Sequence, residues 1–245
     1  MVNWQGHPHR TGGSKILDLS SDLIEYFRNK VEEDHDVLFA FYQGCGGNIN
    51  HHSRIESEPR PDHITSGHGL AAGLAPILKN MRPVKSGKIK GSRSIFEGPI
   101  NHSLDHKVED AQKVQDFWKK STVPGEATAY ANSLGFNSVY HAGAVITRSK
   151  MPQTFTYNVG AVSFGDVCIA WAPNELYDTT GLYLKATSPF EMTFVCGYTN
   201  GAGCYMPTIK AFAHGGYGCD TCRFGPGVTE KMTGEILNRI LDVKE

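Results

Sequence analysis

Two apolar runs joined by a short turn constrain the fold of this chain more than any other feature. Residues 155–162 and 167–172 are rich in aromatic and β-branched side chains, and Gly165 and Asp166 lie between them. Two such runs around a Gly-Asp turn predict a β-hairpin. At least one pair of strands in this protein is therefore expected to be antiparallel.

The rest of the pattern alternates strands with helices. Apolar runs at residues 37–42 and 192–198 predict buried strands, and alternating basic and small residues at 85–96 predict an exposed strand. Apolar residues at helical spacing predict helices, and the small-residue helix at 67–80 is expected to pack tightly on a sheet. The other expected helices lie at about residues 22–33, 102–120, 127–150 (two short helices) and 228–241. We therefore predict an α/β fold of the mixed, α+β-like kind, a single domain with mixed sheets flanked by helices.

Composition narrows the classes of function. The chain has 245 residues, 40% of them hydrophobic, and a formal net charge of −1, so it can bury a sizeable core but offers no basic footprint for nucleic acid. It has no apolar run of the about 18 residues that a transmembrane helix needs. No signal peptide is visible at Met1. Six dispersed cysteines favour free thiols in a reducing compartment, so a cytoplasmic location is expected.

The first loop of the chain concentrates groups that bind metals or anions. Residues 3–13 contain His7, His9 and Arg10, and Pro8 restricts the backbone of the residue before it. A neutral imidazole is a common protein ligand for zinc. The alternative is a solvated N-terminal tail with a chance pair of histidines.

Three further polar loops each follow an apolar strand. Residues 43–52 contain three glycines that allow a sharp turn and close approach to a ligand, but they lack the Lys-Ser/Thr ending of a phosphate-binding loop. In the second loop, Asn174 is expected to cap a helix with Glu175 in its first turn. The third, residues 199–208, carries an exposed tyrosine, Tyr205. Loops that follow strands gather at one edge of an α/β sheet and form its binding site.

Two other patterns are weaker. His102 and His106 lie four residues apart, which suits a metal, but without an adjacent glutamate motif they are expected to be solvated. Cys219 and Cys222 form a single Cys-x-x-Cys pair, which leaves a redox or zinc-ribbon role as a minor alternative.

These loops resemble, in order, the motifs of the neutral/alkaline (non-lysosomal) ceramidases and their bacterial relatives. Asn-Trp-Gln-Gly-His-Pro-His-Arg-Thr-Gly-Gly is similar to the family's Asn-Phe-x-x-His-Pro element, and Tyr-Gln-Gly-Cys-Gly-Gly-Asn-Ile-Asn to its Gln-Gly-Ala-Ala-Gly-Asp-Ile-Asn element. Pro-Asn-Glu-Leu-Tyr resembles Pro-Gly-Glu-Phe. Asn-Gly-Ala-Gly-Cys-Tyr-Met-Pro-Thr, with the later Gly-Gly-Tyr, resembles the family's tyrosine-rich segment.

The resemblance implies hydrolysis of an N-acylsphingosine-like or other N-acyl amide with one catalytic Zn²⁺. The ligands it implies are His7, Glu175 and Tyr205, a donor set that zinc accepts while leaving a position for water. Zinc would polarise the scissile carbonyl and lower the pKa of bound water to about 7.

The remaining site residues follow from the same resemblance. His9 and Arg10 lie where charge on a tetrahedral intermediate could be stabilised. The serine of ceramidases proper is replaced by Asn50, which is expected to orient substrate or water. Gly46 and Gly47 are expected to form a substrate or oxyanion loop.

Two family features are missing from these 245 residues. Ceramidases supply another zinc-binding histidine from an earlier His-x-His segment, and ceramidases proper carry an immunoglobulin-like C-terminal domain. Residues 1–245 are therefore expected to be the C-terminal part of a ceramidase-like catalytic domain. As an isolated chain it is expected to bind zinc weakly and to self-associate through an uncovered face. The expected partner is a small-molecule or lipid-like N-acyl substrate, and the alternative is a catalytically incomplete binding or structural fragment.

Overall fold

A computed structural model describes residues 1–11, 19–50, 61–85 and 87–244. The strands in these ranges are β1 (Val2–Trp4), β2 (Phe41–Gln43), β3 (Ile89–Pro99), β4 (Thr154–Phe164), β5 (Val167–Trp171), β6 (Glu175–Leu176), β7 (Met192–Cys196) and β8 (Tyr205–Met206). The helices are α1 (Leu23–Asp34), α2 (His63–Leu78), α3 (Val108–Trp118), α4 (Glu126–Ser133), α5 (Val139–Ser149), α6 (Asp178–Thr187), α7 (Ile209–His214), α8 (Tyr217–Thr221) and α9 (Val228–Asp242).

A four-stranded mixed sheet, in the order β3-β4-β5-β7, organises the chain. Strands β3, β4 and β5 are antiparallel neighbours, and β7 joins β5 in parallel. The predicted hairpin is confirmed, with Gly165 in its turn at a φ of 58°, a conformation that favours glycine. Two small parallel sheets, β1-β2 and β6-β8, lie outside it. The predicted α/β class, one domain with mixed sheets and flanking helices, is confirmed.

The main core lies between this sheet and α9. Met232, Ile236 and Ile240 are fully buried at four-residue spacing on α9, in one cluster with Val159 and Ala161 of β4. Burying each of these large side chains stabilises the fold by about 1.5–3 kcal/mol. The amphipathic helix predicted at the end of the chain is thus confirmed, and it covers one face of the sheet.

The small-residue helix α2 packs on α1, so the prediction that it lies on a sheet is wrong. A Cβ at Gly67 would stand 2.6 Å from the carbonyl oxygen of Leu23 and 2.8 Å from the amide nitrogen of Phe27. Glycine is therefore needed there for the close approach of two helices. Small residues signalled tight packing correctly, but they do not distinguish a helix from a sheet as the partner.

The buried strand predicted at residues 37–42 is also largely wrong. Only β2 forms, it is half-buried, and Leu38 is 95% exposed. Val37 and Phe39 pack against the α1–α2 cluster while Leu38 points away from it. One apolar side of this segment is therefore covered, and its strand pairs only with the short β1.

The side chain of Asn3 joins these first strands to the main sheet. Its Nδ2 donates to the carbonyl oxygen of Val195 in β7 at 3.2 Å, and its Oδ1 accepts from the Val195 amide at 3.3 Å. The amide side chain thus pairs with the edge of β7 as a neighbouring backbone would. The N-terminal segment is fixed against the sheet by this pair.

Helices α3, α4 and α5 form a separate layer around Phe136 and Val145. The helices predicted at 127–150 are confirmed, and a 3₁₀ turn at Asp105–Lys107 precedes α3. His106 is exposed as predicted, but His102 Nδ1 lies 2.8 Å from Asp105 Oδ2 and is not simply solvated. Within the described ranges, every helix is too short or too polar to span a lipid bilayer.

Candidate functional site

The four polar loops lie against one another, as the sequence predicted. The first loop continues from β1, and the amide of Gly44 donates to the carbonyl of Trp4 at 2.7 Å. The loops after β5 and β7 are joined by a hydrogen bond from Gly203 to Pro173 at 2.7 Å. The Gly47 amide donates to the carbonyl of Leu176 at 2.9 Å and joins these two pairs of loops, so all four build one surface beside the short sheets.

Gly46 and Gly47 separate the two segments that carry the principal candidate residues. A Cβ at Gly46 would collide with the carbonyl oxygen of Gln5, and one at Gly47 would stand 2.5 Å from the carbonyl oxygen of Glu175. The loop is therefore a spacer, one backbone thick, between the segment of His7 and the strand of Glu175. We call residues 46 and 47 the glycine spacer.

The structure brings together His7, Glu175 and Tyr205. The imidazole Nε2 of His7 lies 3.9 Å from Glu175 Oε2, and 22% of each side chain is exposed. Glu175 and Tyr205 are direct partners in the β6-β8 register, and the Glu175 carboxylate lies close enough to raise the pKa of the Tyr205 hydroxyl. Their roles as metal ligands stay predictions.

Tyr198 is a fourth member of this cluster, and sequence reasoning missed it. Its hydroxyl donates to Glu175 Oε2 at 3.0 Å and lies 3.4 Å from His7 Nδ1. The residue has a φ of 55°, where chains rarely place a tyrosine, at the point where β7 passes into its loop. The sequence placed Tyr198 inside a buried strand. Its position beside Thr-Asn-Gly was the only available signal that it belongs to the loop.

The electrostatics of the cluster favour a neutral imidazole beside protonated phenols. Burial lowers the pKa of His7, an effect that Glu175 opposes and His9 reinforces. Burial and the neighbouring Glu175 raise the pKa of both Tyr198 and Tyr205 above the usual tyrosine value. At neutral pH both hydroxyls therefore stay protonated, and the Tyr198 hydroxyl donates to Glu175.

A cavity of about 660 Å³ opens over these residues, and we call it the first cavity. Its described lining consists of His7, Pro8, His9, Gly47, Asn48, Ile49, Asn50, Glu175, Tyr177, Tyr198, Tyr205, Tyr217 and Gly218. Five polar side chains and four tyrosine rings in this lining thus face one volume large enough for a small organic ligand.

The structure separates the other predicted site residues. His9 and Asn50 line the first cavity, whereas Arg10 is not among its described lining residues, and the Arg10 backbone amide hydrogen-bonds Asp22. The Gly47 amide donates to the carbonyl of Leu176 at 2.9 Å, so this N–H is engaged by β6 and not directed at a substrate. The oxyanion role of the loop stays a prediction for Gly46.

Asn174 does not cap a helix, so that prediction is wrong. Asn174 is fully buried, Glu175 lies in β6, and α6 begins only at Asp178. The amide of Asp178 instead donates to the side chain of Asn48 at 2.8 Å. The short strand intervenes because Glu175 and Leu176 pair with β8, a long-range contact that local capping rules do not contain.

The cysteines do not form the pair suggested by their spacing. All six are free thiols; Cys222 contacts Cys204, whereas Cys219 contacts the hydroxyl of Tyr177. The hydrogen bond with Cys222 and the neighbouring Arg223 lower the pKa of Cys204 to about 7. No group of three or more His, Cys, Asp and Glu residues suited to a metal occurs in the described parts of the chain.

Comparison with known proteins finds similarity of fold without similarity of sequence. No protein-family model and no curated protein matches the chain. Two solved structures are similar: a neutral ceramidase from Pseudomonas aeruginosa, with a TM-score of 0.67 and 13% identity, and a ceramidase complexed with C2, with a TM-score of 0.64 and 14% identity. Each match covers 99% of this chain but only 43% and 45% of the ceramidase chains, so this chain spans less than half their length. The chain therefore has the fold of part of a ceramidase, and at this identity the likeness shows the fold alone.

Proposed function

We propose that residues 1–245 form a ceramidase-like hydrolase domain that cleaves an amide-type bond in an N-acyl compound with the help of zinc. The observation that supports the proposal most is the convergence of His7, Tyr198 and Tyr205 on the carboxylate of Glu175. These residues come from three loops far apart in sequence. The ceramidase-like fold and the ordered loop motifs point to the same class of reaction.

The donor set of the cluster fits zinc. Imidazole nitrogen and carboxylate oxygen are ordinary zinc ligands, and phenol oxygen is a related hard donor. His7, Glu175 and Tyr205 would hold the ion, with Tyr198 contacting the same carboxylate. Bound zinc would supply Lewis-acid polarisation of the scissile carbonyl and an acidified water.

The chain's own residues would bind and orient the substrate. The carboxamide of Asn50 faces the first cavity and can donate to an amide carbonyl or position a water, and with no hydroxyl there it cannot act as a serine nucleophile. The His9 imidazole faces the same volume and can form a hydrogen bond with a ligand through a ring nitrogen. Tyr198 fixes one carboxylate oxygen of Glu175 through its hydrogen bond.

Zinc binding by the purified 245-residue chain tests the proposal. The Glu175→Gln variant removes the shared carboxylate charge, and Glu97→Gln, at an exposed position of β3, is the matched control. We expect the wild type and Glu97→Gln to bind zinc with equal affinity and Glu175→Gln to bind at least about 10-fold more weakly. Equal affinity in Glu175→Gln would refute the metal assignment. Failure of the zinc-loaded wild type to hydrolyse any N-acyl amide would refute the reaction.

A second candidate is a binding or structural fragment whose metal site is incomplete. The low number of histidine and acidic ligands in the described cluster favours it. In that case the chain would bind N-acyl ligands but would hold zinc weakly and turn over poorly. A separate peptide carrying a His-x-His segment should then raise both zinc affinity and turnover.

A further inference from the structure

A second cavity, of about 550 Å³, adjoins the candidate site and shares Glu175, Tyr205 and Tyr217 with the first cavity. We propose that this second cavity binds a carboxylate-bearing part of the ligand, so that the preferred substrate is an acidic N-acyl compound. That the acidic compound is a substrate rests on the proposed function, whereas the preference for binding it does not.

A row of aromatic rings leads from the candidate site into the second cavity. Tyr205 packs edge-on against Tyr217 at 5.7 Å between ring centroids, Tyr217 against Tyr140 at 5.1 Å, and Tyr140 against Trp118 at 5.4 Å. Trp118, Tyr140 and Tyr217 all line the cavity and are each partly exposed. Such a wall suits the hydrocarbon or ring portion of a ligand.

Two arginines supply the charge of the second cavity. Arg148 and Arg223 both line it, and among the residues that the structure describes no carboxylate lies within 4.0 Å of either guanidinium. Glu175 is the only carboxylate in the described lining. The described lining therefore carries two positive side chains against one negative side chain.

The Arg148 guanidinium is held by hydrogen bonds within the fold. Its Nη1 donates to the backbone carbonyls of Asp220 and Cys222 at 3.3 and 2.8 Å, and the residue is 4% exposed. It ties α5 to the end of α8. Its contribution to a ligand is the field of its charge.

Arg223 is the group that can recognise an anion. Its Nη1 donates to the hydroxyl of Tyr157 at 3.0 Å, and its guanidinium lies 5.3 Å from the ring centre of Phe155. A guanidinium carries five N–H donors in a planar fork, so this one bond leaves donors that match a carboxylate. The two aromatic contacts hold the fork in place and carry no charge. The Cys204 thiol also lies beside the guanidinium, so an anionic ligand would compete with it for Arg223.

The physical consequence is discrimination between acidic and neutral ligands. A carboxylate would form charge-assisted hydrogen bonds with Arg223, about twice as strong as those of a neutral amide or hydroxyl. A ligand with a neutral head would leave the arginine charge uncompensated in a half-enclosed volume. We expect the acidic member of a matched pair to bind about 10-fold more tightly or better.

Direct binding of N-octanoylglycine and N-octanoylglycinamide tests the proposal, because the two differ only in the charge of the head group. Titration calorimetry in metal-free buffer, with quenching of Trp118 fluorescence as a second readout, keeps the test independent of zinc and turnover. We expect the acid to bind more tightly to the wild type, and this preference to disappear in Arg223→Gln and to return in part in Arg223→Lys. Arg93→Gln, on the exposed side of β3, should keep the full preference.

Tyr157→Phe is the control for a folding defect, because it removes the hydrogen bond between Arg223 and Tyr157 but keeps the charged Arg223 side chain. It should retain the preference for the acid. Equal affinity of the two ligands for the wild type, or a preference that survives Arg223→Gln, would overturn the proposal. Hydrolysis of the neutral amide without any preference would leave the proposed function standing and refute only this inference. Tighter binding of the acid without hydrolysis of either ligand would support this inference and refute the proposed function.

Discussion

Adding one methyl group at Gly47 should displace the strand that carries Glu175. A Cβ there would stand 2.5 Å from the carbonyl oxygen of Glu175, whereas ordinary contact begins at 3.4 Å, so the two backbones must separate by about 0.9 Å. The neighbouring atom is backbone and cannot rotate away. The Gly47 amide also donates to Leu176 at 2.9 Å, and the same displacement stretches this hydrogen bond.

The expected effect of Gly47→Ala has two parts. Overpacking of this kind costs about 1–3 kcal/mol in the free energy of unfolding. A shift of about 1 Å at a group that positions the reaction can lower turnover about 100-fold. Gly47→Val should lose activity altogether, with the fold retained.

For Gly47→Ala, urea unfolding measures the first effect and the rate of N-acyl amide hydrolysis measures the second, while zinc titration reports the placement of Glu175. The control is Gly73→Ala on the exposed side of α2, where an added Cβ meets nothing within 4 Å and should stabilise the helix by about 0.5–1 kcal/mol. If Gly47→Ala were as stable as the wild type and bound zinc equally well, the glycine spacer would have no role in placing Glu175.

Three further predictions concern single side chains. Burial alone would raise the pKa of Asp22, but hydrogen bonds from Thr11, Arg10 and Leu23 outweigh this effect and lower the pKa. The Asp22 carboxylate therefore stabilises the fold above pH 3.8, and this stabilisation is lost as the pH falls through the lowered pKa of the folded state. Unfolding curves of Asp22→Asn at neutral and acidic pH should therefore show a smaller loss of stability with acid than the wild type, and parallel curves would contradict this. Tyr198→Phe should weaken zinc binding about 10–100-fold, because the Glu175 carboxylate loses the hydrogen bond that positions it. The control Tyr183→Phe, on the exposed face of α6, should leave zinc binding unchanged. Equal zinc affinity in both variants would exclude the positioning role of Tyr198. The pKa of Cys204 is lowered to about 7, whereas burial raises the pKa of Cys168 to about 12. Cys204 should therefore react faster with iodoacetamide than Cys168. Mass spectrometry of the modified peptides measures the two rates, and faster modification of Cys168 would contradict the prediction.

The sequence was sufficient to predict the hairpin and the gathering of the four loops. Both depend on regularities that hold within a short window, namely two apolar runs around Gly165 and polar residues at the ends of strands. The position of Glu175 on a strand could not be predicted in this way. It depends on pairing with Tyr205, thirty residues later, and no local pattern contains that contact.

Tyr198 shows a second limit of sequence reasoning. The local sequence is the same whether an aromatic residue at the end of an apolar run stays in the buried strand or leaves it and hydrogen-bonds a carboxylate, as Tyr198 does with Glu175. Leu38 shows the opposite error, since an apolar residue in an apolar run is exposed when only one side of the segment is covered. The metal-ligand roles of His7, Glu175 and Tyr205 stay predictions that zinc titration can test.

The Asn3 bridge to Val195 also determines when the site can form during synthesis. Asn3 is synthesised before its partner, which lies 192 positions later in the chain. Closing so long a loop is entropically costly and slow, and it must wait until the ribosome has released most of the chain. We therefore expect the segment of His7 to dock after the central sheet has formed. Mutations in Asn3 should slow the last folding phase and leave the earlier ones unchanged.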